Sequence, residues 1–147
     1  MKHIAATFPK KPTACNCLNV RRASRAITQF YDKVLAPSGL SVAQMALLRQ
    51  VDRQDGMTIS DLAKRMRIDR TTLNRNMKPL MEGELIQVKS GRDSRTKLVC
   101  ITPSGVTAAA AALKLWQEAQ LSLHEYLGDD DLNKLTELLG KLEALVP

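Results

Sequence analysis

TISDLAKRMRIDRTTLNRNMKPLM, residues 58–81, holds two amphipathic helical patterns with only Arg67 to Asp69 between them. Thr58 stands at the N-cap position of the first, and Ile59, Leu62, Ala63 and Met66 share one face at helical spacing. Asp69 stands at the N-cap of the second, with Thr72 three residues on and Leu73, Met77 and Leu80 facing inward. Two short helices joined by so tight a turn make a helix-turn-helix unit. The outer face of the second helix presents Arg70, Thr71, Asn74, Arg75 and Lys78. An interior proline costs on the order of 3 kcal/mol, so Pro79 is expected where this helix is already ending.

Working outward, the period changes from 3.6 to 2 after Gly83. Ile86 and Val88 alternate with Gln87 and Lys89, Ser90 to Ser94 turn, and Leu98 to Ile101 return, which predicts a β-hairpin with a long basic tip. Thr102 and Pro103 are suited to N-cap and first helical position, and the helix they start runs to about Leu127. Gly128 and Asp129 to Asp131 are expected to form the next break and cap. Leu132, Leu135, Leu138, Leu139, Leu142 and Leu145 cover more than one seam of the last helix, which predicts burial on two sides.

Upstream, Ala14 to Leu35 reads as a helix with Val20, Ala23, Ile27, Phe30, Tyr31 and Val34 inward, stopped by Pro37-Ser38-Gly39. Ser41 and Gln44 form a capping-box pattern for a helix carrying Met45, Leu48 and Val51 inward, ended by Gln54-Asp55-Gly56. With no repeat and no long linker, residues 1–147 read as a single domain. The fold class is mainly α with a small β wing: a winged helix-turn-helix lobe at 41–102 with helices at 14–36 and 103–147.

Composition narrows the class further. The chain has 147 residues, 44% hydrophobic and 25% charged, as in ordinary globular proteins. No run approaches the roughly 20 apolar residues of a membrane span, and the N-terminus lacks a signal-like apolar region. Three cysteines (Cys15, Cys17, Cys100) form no disulfide framework, as expected of a cytoplasmic protein. Cys-x-Cys is not a usual zinc spacing, so neither a metal nor a cofactor is expected. Nucleophile elbows, zinc-protease motifs and phosphate-cradling glycine loops are all absent, and the chain is not read as an enzyme.

Charge points to a partner. Residues 1–100 hold 19 Lys and Arg against 8 Asp and Glu, whereas residues 101–147 hold 3 against 7. Ten basic and four acidic residues fall between Lys64 and Lys97. A basic excess gathered around a helix-turn-helix implies a polyanion, and double-stranded DNA fits its side chains. Arg bonds guanine O6 and N7 together, Asn does so with adenine N6 and N7, and Thr meets a thymine methyl. Arg70, Thr71, Thr72, Asn74 and Arg75 are therefore the candidate major-groove residues. At the hairpin tip Arg95 is the candidate for the minor groove, with Arg92, Lys97 and Lys78 on phosphate. Asp93 is expected to hold the Arg95 guanidinium before binding. The contrasting class is a helical module that binds an acidic protein, which has no need of an arginine finger beside a capped helix.

These residues resemble the MarR family of winged helix-turn-helix transcription regulators, in order and spacing of elements from Cys17 to Leu145. The most specific parts are Asp69 to Arg75, Asp93-Ser94-Arg95, and Thr102 to Gly105. One departure is visible: the family usually has Gly directly before Leu-Ile/Val, but Gly83 here sits one place early and Glu84 precedes Leu85. The resemblance implies a homodimer built on the first, fifth and sixth helices, reading a pseudo-palindromic operator as a repressor. It also implies release by a small aromatic or phenolic effector, or by oxidation of a cysteine. For the latter, Cys17 and Tyr31 resemble the arrangement of the hydroperoxide-sensing branch, although that branch's second tyrosine falls at Val42.

Overall fold

A computed structural model describes residues 2–54 and 56–147. In chain order these form α1 (Asn16–Leu35), a single 3-10 turn (Ala36–Ser38), α2 (Val42–Asp52), β1 (Met57–Thr58), α3 (Ile59–Met66) and α4 (Arg70–Glu82). They continue with β2 (Ile86–Ser90), β3 (Lys97–Ile101), α5 (Pro103–Leu127) and α6 (Asp129–Glu143). No helix among the described residues is long and apolar enough to cross a membrane.

Local chemistry starts the helices where the sequence places them. Ser41 and Gln44 close a reciprocal capping box on α2. The Thr58 and Thr102 hydroxyls accept from the amides of Asp61 and Gly105, three residues on. Gly39, at φ 76°, ends the 3-10 turn in the left-handed region that a side chain disfavours. Asp55, expected to help end α2, lies outside the described residues.

β1, β3 and β2 form one antiparallel sheet in that spatial order, with Met57 and Val88 flanking Val99 on opposite edges. Leu35, Leu47, Leu48, Leu62, Leu73 and Leu80 are at most 1% exposed, and each stabilises the lobe by about 1.5–3 kcal/mol. They lock α1 through α4 against one another and against α5.

Several expectations are corrected. Pro79 lies within α4, which continues to Glu82. The bond it deletes is to the carbonyl of Arg75, an exposed residue open to water, so the helix passes through. The cap of α6 is Gly128, at φ 79° and ψ 164°, with no side-chain cap bond. That conformation is essentially restricted to glycine. Asp129 to Asp131 occupy the first turn instead, where they favour the helix dipole without capping it. No residue of α6 is buried, because the described residues leave Leu135, Leu138, Leu139 and Leu142 exposed. The first half of α1 behaves likewise: Val20, Ala23 and Ile27 are exposed, while Tyr31, Val34 and Leu35 reach the core.

Candidate nucleic-acid interface

Both helices of the helix-turn-helix unit close through a left-handed residue that is not glycine. Ile68 N–H donates to the Ala63 carbonyl and Arg67 N–H to that of Lys64, with Arg67 at φ 54°. Leu85 and Glu84 repeat the pattern on Leu80 and Met81, with Glu84 at φ 57°. Both are Schellman closures, and both place a side chain in the left-handed region. In the second, Glu84 occupies the position where the family pattern has glycine, which is where the early Gly83 is felt.

α4 leaves the first closure under a firm cap. Asp69 Oδ1 accepts from Thr72 N–H at 2.7 Å, and Thr72 Oγ1 donates to Oδ2 at 3.1 Å. Those bonds from the Thr72 amide and hydroxyl hold the Asp69 carboxyl below the usual carboxylate range. Beyond the cap, Arg70, Thr71, Asn74, Arg75 and Lys78 are exposed on one face, opposite buried Leu73, Met77 and Leu80. Thr72 is placed apart from them: it is half-buried, with its hydroxyl committed to Asp69.

The wing is fixed at its base. Thr102 Oγ1 donates to the carbonyl oxygen of Glu84 at 2.7 Å and lies 3.1 Å from that of Leu85, while Thr102 N–H also donates to Leu85. Gly105 makes this junction possible, since a Cβ there would lie 2.1 Å from the Leu85 oxygen. At the tip, Gly91 N–H donates to the Thr96 carbonyl and Thr96 N–H to that of Asp93. Asp93 corrects an expectation. Its carboxylate accepts the Arg95 backbone N–H at 3.1 Å and forms an Asx-type turn, in place of a bond to the guanidinium. Arg92, Arg95 and Lys97 are exposed, and no ion pair engages them, Arg70, Arg75 or Lys78 among the described residues. The surface therefore carries uncompensated positive charge on two elements of one lobe.

Cys17 and Tyr31 are not brought together within one chain. They lie on the same helix, about 21 Å apart along its axis. Cys17 is exposed near the start of α1, and Cys15 lies outside the helix as its N-cap. Tyr31 is buried, donates to Gln120 Oε1, and has its phenol pushed up by that burial. Cys100 is buried in β3. A groove of about 200 Å³ between α2 and α5 is lined by Val42, Met45, Ala46, Arg49, Gln50, Arg53 and Trp116. The Arg49 guanidinium stands over the Trp116 ring, 5.7 Å from its centroid. The sequence reading missed this pair, because a lone arginine and tryptophan 67 positions apart leave no periodic signal.

Residues 38–96 match the MarR family. The M. tuberculosis transcriptional regulator MosR, solved in complex with DNA, is 33% identical to this chain, over 90% of it and 99% of MosR, with a TM-score of 0.77. The chain belongs to the MarR family. The S. aureus MepR–DNA complex is similar to this MarR-family chain in fold, with 23% identity, 91% and 100% coverage, and a TM-score of 0.78. An uncharacterised HTH-type transcriptional regulator of Staphylococcus aureus (strain Mu50) is 26% identical over 82 residues. That match takes in 55% of this MarR-family chain and 56% of the relative, so the chain spans about half the length of the curated relatives it matches.

Proposed function

We propose that this chain is a sequence-specific, DNA-binding transcription regulator acting in the cytoplasm, and not an enzyme. It works as a homodimer on a pseudo-palindromic operator. Residues 41–102 form the DNA-binding lobe, and residues 14–36 and 103–147 the dimerisation helices. The observation that carries this reading is the uncompensated basic surface of α4 and the wing. Arg70, Thr71, Asn74 and Arg75 read the major groove, with Thr72 in reach once its hydroxyl turns from Asp69. Arg95 enters the minor groove, and Lys78, Arg92 and Lys97 hold phosphates. Asp93 shapes the tip. The similarity to MosR solved with DNA supports the same reading.

The exposed faces of α1 and α6 support a two-fold dimer, since each copy leaves Val20, Ile27, Leu138, Leu139 and Leu142 open to water. Half-sites then lie about one helical turn, ~10 bp, or a multiple apart. Repression, with release by a small aromatic or phenolic effector, is the favoured mode of action. The groove beside Arg49 and Trp116 supports it by offering a cation and an aromatic wall. The test is fluorescence anisotropy on operator-bearing DNA with excess competitor. Binding that competitor erases on every fragment tried contradicts the reading.

The exposure of Cys17 favours a second reading, a thiol-based peroxide switch. Because Tyr31 lies far along the same helix, a site containing both needs two chains. Cys17→Ser should preserve DNA binding and abolish release by hydroperoxide; an unchanged release removes Cys17 from the mechanism.

A further inference from the structure

The last turn of α6 reaches the turn between α3 and α4. Glu143 Oε2 accepts from Arg67 Nη1 at 2.5 Å, joining residues 76 positions apart. Arg67 is mounted on the closure of α3, with its N–H donating to the carbonyls of Ala63 and Lys64. Two residues later Asp69 caps α4. Arg67 thus stands on the short segment that sets the direction in which α4 leaves α3. Glu143 stands on the helix whose leucine face is open for a partner.

We propose that Arg67 and Glu143 are positioning residues, an electrostatic link through which α6 sets the placement of α4. The inference rests on the DNA-binding reading of α4 for its consequence, though not for its geometry. Both side chains are well exposed, so the link is weak and sensitive to salt. It biases the turn rather than locking it, and a shift of α6 when its leucine face is covered alters that bias. Arg67 acts here through the turn and not by touching a base.

The test uses the full chain and three variants: Glu143→Gln, Arg67→Ala, and the charge swap Arg67→Glu with Glu143→Arg. Hydrogen exchange of the segment 64–72 reads the turn directly, without DNA. Glu143→Gln and Arg67→Ala should each raise its exchange and weaken operator binding by about two- to five-fold at low salt, the size of one exposed ion pair. Both differences should shrink as salt is added, and the swap should restore exchange and affinity together. Unchanged exchange in Glu143→Gln overturns the link. Loss of affinity in Arg67→Ala and the swap, with Glu143→Gln behaving as wild type, also overturns it and assigns Arg67 to the DNA itself. If the wild type binds no operator, the regulator reading fails while the exchange measurement still decides the link.

Discussion

Gly105→Ala tests the junction that carries the wing. The added Cβ would meet the Leu85 carbonyl oxygen at 2.1 Å, Ile101 Cγ1 at 2.7 Å and the Leu85 carbonyl carbon at 3.1 Å. Two of these atoms are backbone, fixed by the bonds of Thr102 to the same carbonyl. No rotamer change relieves the clash, so α5 must move away from the β2 edge. Overpacking of this kind costs typically 1–3 kcal/mol, and backbone opposition puts it at the upper end, about 3. Alanine returns at most about 1 kcal/mol through helix propensity. The net loss is about 2 kcal/mol, which for a chain of this length lowers Tm by about 4–8 °C. Calorimetry at one fixed protein concentration reads this, since the proposed dimer would make Tm concentration-dependent. A variant melting within a degree of wild type refutes the close approach.

Arg95→Ala should weaken operator binding by about 1–3 kcal/mol in anisotropy titrations and leave Tm unchanged; equal affinity removes Arg95 from the interface. Glu84→Gly relieves a left-handed side chain while loosening the unfolded chain, for a net gain of about 0.5–1 kcal/mol, seen as a higher urea midpoint. The Asp69 carboxyl is lowered on folding, so its cap stabilises α4 fully above the unfolded carboxylate value of about 3.9 and is lost as pH falls through the lower folded value. Carbon-detected NMR titration should therefore find Asp69 protonating below an ordinary aspartate, and Asp69→Asn should remove that titration.

What could be read from the residues was what they decide locally. Ser41, Thr58, Asp69 and Thr102 each bond an amide three residues on, so their caps were legible from spacing. The basic face of α4 was legible for the same reason, because one helical period orders both its faces. β1 was not, since two residues carry no period and Met57 owes its strand to Val99, 42 positions away. Asp93 finds a nearer donor than the guanidinium of Arg95, namely the Arg95 amide that the turn brings to its carboxylate. The leucines of α6 signalled a need for burial, which the described residues of the chain's own fold do not meet. The partnership of Arg67 with Glu143 is likewise a product of the folded arrangement, invisible to any local pattern.

The most direct test of the DNA-binding claim is anisotropy of the reduced protein on the DNA upstream of its own gene, titrated with excess unrelated duplex. Competitor-resistant binding, with two chains per duplex and an affinity that falls steeply with salt, is the predicted result. Binding that unrelated DNA removes in proportion to its concentration, on this fragment and on a genomic selection, would contradict it.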